Sequence, residues 1–128
     1  MLFSITLALL GQQAGSELNC TSPRSQLEME ACSYRRLQRA DAQLNRQWKL
    51  VLARSKEDLQ FQRPELHDGK SDAQLLIEAQ RAWIAFRDAQ CAFEKTFMPG
   101  SGGPTMKTDC LERLTLARTQ ELRDLWRN

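Results

Sequence analysis

The sequence predicts an all-α domain, a small disulfide-stabilised helical bundle in which a long first helix packs on a two-helix hairpin. Three observations carry this. Nineteen Leu, thirteen Ala and twelve Gln stand against one Val and three Ile, and Leu, Ala and Gln favour helices whereas strands favour β-branched residues. Apolar side chains recur at steps of three and four along most of the chain, the period of one helix face. Gly and Pro cluster at only a few places, so they separate three long periodic stretches.

The first element runs from about Ser25 to Leu59. Pro23 precedes it and Ser22 or Ser25 is placed to cap it. Leu27, Tyr34, Leu37, Leu44, Trp48, Val51 and Leu59 fall on one face. Residues Gln60 to Ser71 interrupt the pattern with Pro64 and Asp68-Gly69, and Ser71 or Asp72 opens the next element. That second helix extends to about Phe97, with Leu75, Leu76, Ala79, Trp83, Phe86, Phe93 and Phe97 as its apolar face. The segment Met98 to Thr108 holds three of the six glycines and two of the four prolines, and reads as an exposed loop. A third helix follows from about Asp109 to Trp126, with Leu111, Leu114, Leu122, Leu125 and Trp126 on its face. Three apolar stripes bury one another.

Residues 1–16 are read apart from the domain, which is taken as 17–128. Leu2 to Leu10 form a nine-residue apolar run, too short to span a bilayer. It fits the core of a secretory signal peptide, with Ala14 and Ser16 as small residues before a cut after Ser16, although no Lys or Arg precedes the run. Glu17-Leu18-Asn19 before Cys20 is a poor lipoprotein signal. The expectation is a periplasmic or secreted protein with no integral membrane segment in its mature chain.

The four cysteines fit that compartment. Cys20, Cys32, Cys91 and Cys110 form no C-x-x-C pair, and His67 is the single histidine, so zinc spacing is absent and no metal is expected. Two disulfides are the reading. Four cysteines allow three connectivities, and sequence proximity favours Cys20–Cys32 with Cys91–Cys110. Closing the second loop stabilises the fold by roughly 3 kcal/mol in the chain-entropy view.

The helix faces carry polar interruptions. Arg87 projects between Leu76 and Cys91, with Gln80 beside it. Arg118 falls among Leu111, Leu114, Leu122 and Leu125. Asp41 lies among Leu37, Leu44 and Trp48, and Glu30 projects to a similar side. An unpartnered buried guanidinium is costly. The sequence therefore predicts a structural polar core of Asp41, Gln80, Arg87 and Arg118, with Asp41 accepting hydrogen bonds from one or both arginines.

Catalysis finds no support. His67 lies in a polar loop, no G-x-S-x-G turn occurs, and Glu28 and Glu30, two apart on a helix, point to different faces. Gly100-Ser101-Gly102-Gly103 lacks the Lys-Ser/Thr and preceding strand of a phosphate loop. No cofactor is expected, and a net charge of +2 spread evenly along the chain excludes a dedicated nucleic-acid binder. The chain reads as a non-enzyme.

An ordered set of motifs points to a family. Gln26-Leu27-Glu28-Met29 with Cys32, then Ala40-Asp41 and Leu44-Asn45, lie on the first helix. Ala79-Gln80-Arg81-Ala82-Trp83, Phe86-Arg87-Asp88 and Cys91 lie on the second. The Gly-rich segment, Cys110-Leu111, Thr115, Arg118 and Leu122 close the set. Over roughly Cys20 to Leu125 this resembles the LprI-like lysozyme inhibitor domain family of small exported bacterial proteins. Trp48 stands where the family commonly has Tyr, and Glu30 where Asn is common. The resemblance implies a helical, disulfide-stabilised envelope protein that inhibits lysozyme.

Two function classes follow. The first is a lysozyme inhibitor acting by protein–protein contact. It needs a rigid scaffold and a preorganised loop, and the candidate is Pro99, Gly100, Ser101, Gly102, Gly103, Pro104 and Thr105, pinned by a Cys91–Cys110 bridge. Ser101, Thr105 and backbone amides offer donors to the enzyme's catalytic carboxylates. The second is an envelope interaction or stress module with a partner other than lysozyme, using Arg35, Arg36, Arg39 and Arg46.

Overall fold

The computed structural model describes residues 18–57 and 68–127. The apolar run at 2–10, the cut after Ser16, Leu59 and His67 lie outside them. Three helices account for most of what is described: α1 (Gln26–Glu57), α2 (Asp72–Glu94) and α3 (Gly103–Asp124). Among the described residues there is no strand, and no helix is long and apolar enough to cross a membrane.

Local chemistry sets the helix starts. The Ser25 hydroxyl accepts the Glu28 N–H at 3.1 Å, closing the first turn of α1. Ser71 accepts the Gln74 N–H at 3.2 Å while Gln74 Oε1 accepts the Ser71 N–H at 2.8 Å. This reciprocal box fixes the first turn of α2. Past Glu94 the chain tightens into a 3-10 turn over Lys95–Phe97, leaves helical geometry at Met98, and forms a second 3-10 turn over Gly100–Gly102.

Here the sequence expectation needs correction. The third helix starts at Gly103, six residues before Asp109, so Gly103, Pro104 and Thr105 are its first turn. Proline at the start of a helix loses no hydrogen bond and brings a helical φ. Gly103 is buried, and a Cβ there would stand 3.0 Å from the Met98 carbonyl oxygen. The glycines thus serve a tight reversal: Gly100 takes a left-handed φ of +84° and Gly103 lets the two backbones approach.

The long first helix lies along the α2–α3 hairpin, and its closest partner is α3. The two run parallel: Ser33 meets Asp109, Arg36 meets Glu112, and Arg54 stacks on Trp126 at 4.7 Å. Their seam is built from small residues. Ser33, Ala40, Leu44, Val51 and Ser55 of α1 are buried, at steps of seven and four, as are Thr115, Thr119 and Leu122 of α3. Leu44, Val51 and Leu122 form the apolar centre, and Trp48, Leu76 and Trp83 pack on it. The buried hydroxyls are satisfied close at hand. Thr119 Oγ1 donates to the Thr115 carbonyl at 2.9 Å, Ser55 Oγ to the Leu52 carbonyl at 2.8 Å, and Ser33 Oγ to Asp109. Among the described residues no buried side-chain nitrogen or oxygen lacks a partner.

Both disulfides form between sequence neighbours. Cys20 joins Cys32, holding the segment before α1 against that helix, and Cys91 joins Cys110, fastening α2 to α3. The apolar faces are partly redistributed. Leu27, Tyr34, Leu125 and Trp126, read as core, are exposed, and so are Phe86, Phe93 and Phe97. The α1–α3 seam buries mostly small side chains, with Leu44, Val51 and Leu122 as its larger members.

Ala40, 1% exposed, is buried in that seam. Ala40→Leu adds volume where neither helix can yield, and costs about 1–3 kcal/mol. Urea unfolding of the substituted chain measures it.

Candidate functional site

Two places combine defined geometry with chemistry. The first is the polar cluster between the helices. Arg87 and Arg118 project from α2 and α3 with only 17% and 16% of their side chains exposed. Both guanidinium carbons lie over the Trp83 ring, at 5.2 and 5.9 Å from its centroid. A guanidinium over an indole face is attracted by the ring quadrupole. Arg118 Nε donates to Gln80 Oε1 at 3.0 Å and its Nη1 pairs with Glu121 at 3.0 Å. Arg87 Nε donates to Asp88 at 2.9 Å, and its Nη1 donates to Thr115 Oγ1 at 3.3 Å.

Asp41 stands differently from the sequence expectation. Its carboxylate is 3.7 Å from Arg87 Nη1, an ion pair rather than a hydrogen bond, and 47% of its side chain is exposed. Arg118 has other partners. Asp88 and Glu121, each one turn or less from the arginine it serves, take the place assigned to Asp41, because a short local reach costs less ordering than a span between helices. The contacts of these two guanidiniums run from α2 to α1 and between α2 and α3. Glu30 is half-buried on α1 outside the cluster.

The second place is the end of the bundle where α1 begins and the hairpin reverses. Gln26 Nε2 donates to the Ser101 carbonyl and to Thr105 Oγ1, both at 3.1 Å. The turn is therefore held by the Cys91–Cys110 bridge on one side and by α1 on the other. Pro99, Gly100 and Ser101 are exposed, Gly102, Pro104 and Thr105 are half-buried, and Gly103 is buried. Thr105, with its hydroxyl engaged by Gln26, belongs to the scaffold. Beside the turn lies a notch lined by Gln26, Met29, Met98, Thr105 and Met106. Three of the four methionines of the chain meet there. Methionine is flexible and polarizable, and suits a surface that adapts to a partner. Gln26 and the methionines were missed in sequence because they come from three separate segments and share no local spacing.

Ion pairs flank this end. Arg36 reaches Asp109 at 2.8 Å and Glu112 at 3.0 Å. Its guanidinium is held more firmly charged, chiefly by the Glu112 hydrogen bond. This arginine pairs with α3, and with Arg35, Arg39 and Leu18 it also lines a pocket beside the Cys20–Cys32 bridge. Glu94, at the close of α2, accepts from Gln90 at 3.0 Å and from Arg113 of α3 at 2.9 Å. These hold its carboxyl below the usual range, the Gln90 hydrogen bond first and Arg113 second.

A model of the family described as Lysozyme inhibitor LprI matches residues 19–122. An uncharacterized protein of Rhizobium meliloti (strain 1021) is 37% identical over 118 residues, which cover 85% of this chain and 79% of that protein. No solved structure matches.

Two predictions follow from the geometry. Asp41→Ala costs less than about 1 kcal/mol, as for an exposed ion pair, whereas Gln80→Ala strips Arg118 Nε of its acceptor and costs about 1–3 kcal/mol; urea midpoints of the two variants separate them. Glu94 has a folded-state pKa below its unfolded value. Its contribution is thus complete above the unfolded value of about 4.3 and is lost as pH falls through the lower folded value. Wild type should exceed Glu94→Gln in stability at pH 6, and that advantage should vanish in unfolding curves taken under strongly acidic conditions.

Proposed function

We propose, from the premise that the chain belongs to the LprI lysozyme inhibitor family, that it is an exported protein that inhibits lysozyme by direct contact and without catalysis. The observation that carries this reading is the extent of the family match: residues 19–122 take in both disulfides, all but the last residues of α3, and the polar cluster.

The contact surface in this reading is the turn with its exposed residues Pro99, Gly100 and Ser101, and Met29, Met98 and Met106 beside it. A stapled turn loses little conformational entropy on binding, so its contacts convert into affinity more fully than those of a free loop. The Ser101 hydroxyl and exposed backbone N–H groups of the turn are donors for carboxylates in a lysozyme cleft. Thr105 and Gln26 contribute by holding the turn in place. Net charge supplies no steering toward basic lysozymes, so recognition rests on shape and short-range contacts.

The test is titration of the purified, disulfide-bonded chain against lysozymes of several classes, with cell-wall lysis and direct binding measured together. Stoichiometric inhibition with no turnover of the inhibitor supports the reading; absence of binding to every class sinks it. Within an inhibited pair, Ser101→Trp should weaken inhibition by ~10-fold or more, the loss of one well-packed contact or the gain of one clash, with an unchanged melting temperature.

A further inference from the structure

Among the described residues, the side of α2 turned away from the polar cluster packs on no other helix. It meets α1 and α3 through Ala73, Leu76, Gln80, Trp83, Arg87 and Cys91, which are buried or half-buried. About 110° around the helix runs a second seam. Ala79, Ala82, Phe86, Ala89 and Phe93 follow at steps of three and four, Phe97 adjoins them in the 3-10 turn that follows, and all are exposed. None of them is charged. Phe86, Phe93 and Phe97 are 56%, 58% and 61% exposed, and Phe93 and Phe97 meet edge to face at 5.0 Å. The three rings place roughly 300–400 Å² of aromatic surface in water. That is as much contiguous apolar surface as a monomer commonly shows.

The order of large and small residues along this seam names its occupant. Steps of three and four at apolar positions are those of a helix that packs lengthwise on another helix. In a parallel pair of α2 helices, each phenyl would face a phenyl and each alanine an alanine. In an antiparallel pair with the two-fold axis between positions 87 and 88, Phe86 faces the partner's Ala89, and Ala82 faces the partner's Phe93. The two-fold repeats both layers. Large meets small in these four, which is how facing helices fill space, and Phe97 lies beyond them at the seam's end, level with Glu78 of the second copy. The geometry points to a second copy of this chain as the partner: a closed, two-fold dimer through antiparallel α2 helices. The surface is small for a specific interface, so the dissociation constant is on the order of micromolar.

Sedimentation equilibrium of the full, disulfide-bonded chain from about 1 to 100 µM, the range that constant sets, tests this. The expected result is a monomer–dimer equilibrium. Phe86→Glu with Phe93→Glu should raise the dissociation constant on the order of 100-fold, because charges would be desolvated in the seam. Ala89→Arg, a single change at an exposed position, should do the same and stands in if the double variant does not fold. A spin label on Glu78→Cys should report copies separated by about 28 Å along the helix axis, from 1.5 Å per residue. A chain that stays monomeric throughout overturns the inference, whether other residues of the chain or another protein covers the seam. So does a dimer that survives these substitutions, or a label separation near the interaxial distance of about 10 Å.

Discussion

Everything in this fold depends on how closely α1 and α3 approach each other. The seam holds Ser33, Ala40, Thr115 and Thr119 where larger bundles place leucines. Small side chains bury little apolar area each, so hydrophobic transfer alone holds such a seam weakly. What they permit is contact between backbones, with dispersion along the full length of both helices. The hydroxyls are compatible with that proximity because their own helix or its nearest neighbour accepts their protons. Two disulfides then add stability that a sparse core does not supply.

The same constraint explains the position of the charged groups. Arginine is long enough to lie along the outside of a tight seam and reach into its edge, and Trp83 offers a flat surface for two of them. The hydrogen-bond acceptors of Arg87 and Arg118 come from α2 and α3, and Asp41 of α1 forms an ion pair with Arg87.

Helix content, the three elements and the Cys91–Cys110 and Cys20–Cys32 pairs were legible because each is a local property of the chain: period, capping residues and proximity. What the period did not reveal was which of two apolar stripes on α2 faces inward. Leu76 and Trp83 do, while Phe86 and Phe93 do not, because Arg87 and Cys91, each with an inward partner, set the rotation of the helix. The start of α3 was hidden for a different reason. Gly102-Gly103-Pro104 has the composition of a loop, yet Pro104 is favourable in a first turn and Gly103 is needed under Met98. The turn that carries the candidate contact was visible as a Gly-rich segment, but its buttress was not. Gln26 lies 75 residues from Ser101, and only the folded chain brings them together.

The two sulfur bridges span 12 and 19 residues, and their loops neither overlap nor enclose each other. A chain that emerges N-terminus first therefore offers Cys32 to Cys20 before any other thiol exists, and Cys110 to Cys91 when the earlier pair is already closed. First-come oxidation and correct oxidation coincide, so no reshuffling by an isomerase is required to reach the native linkage.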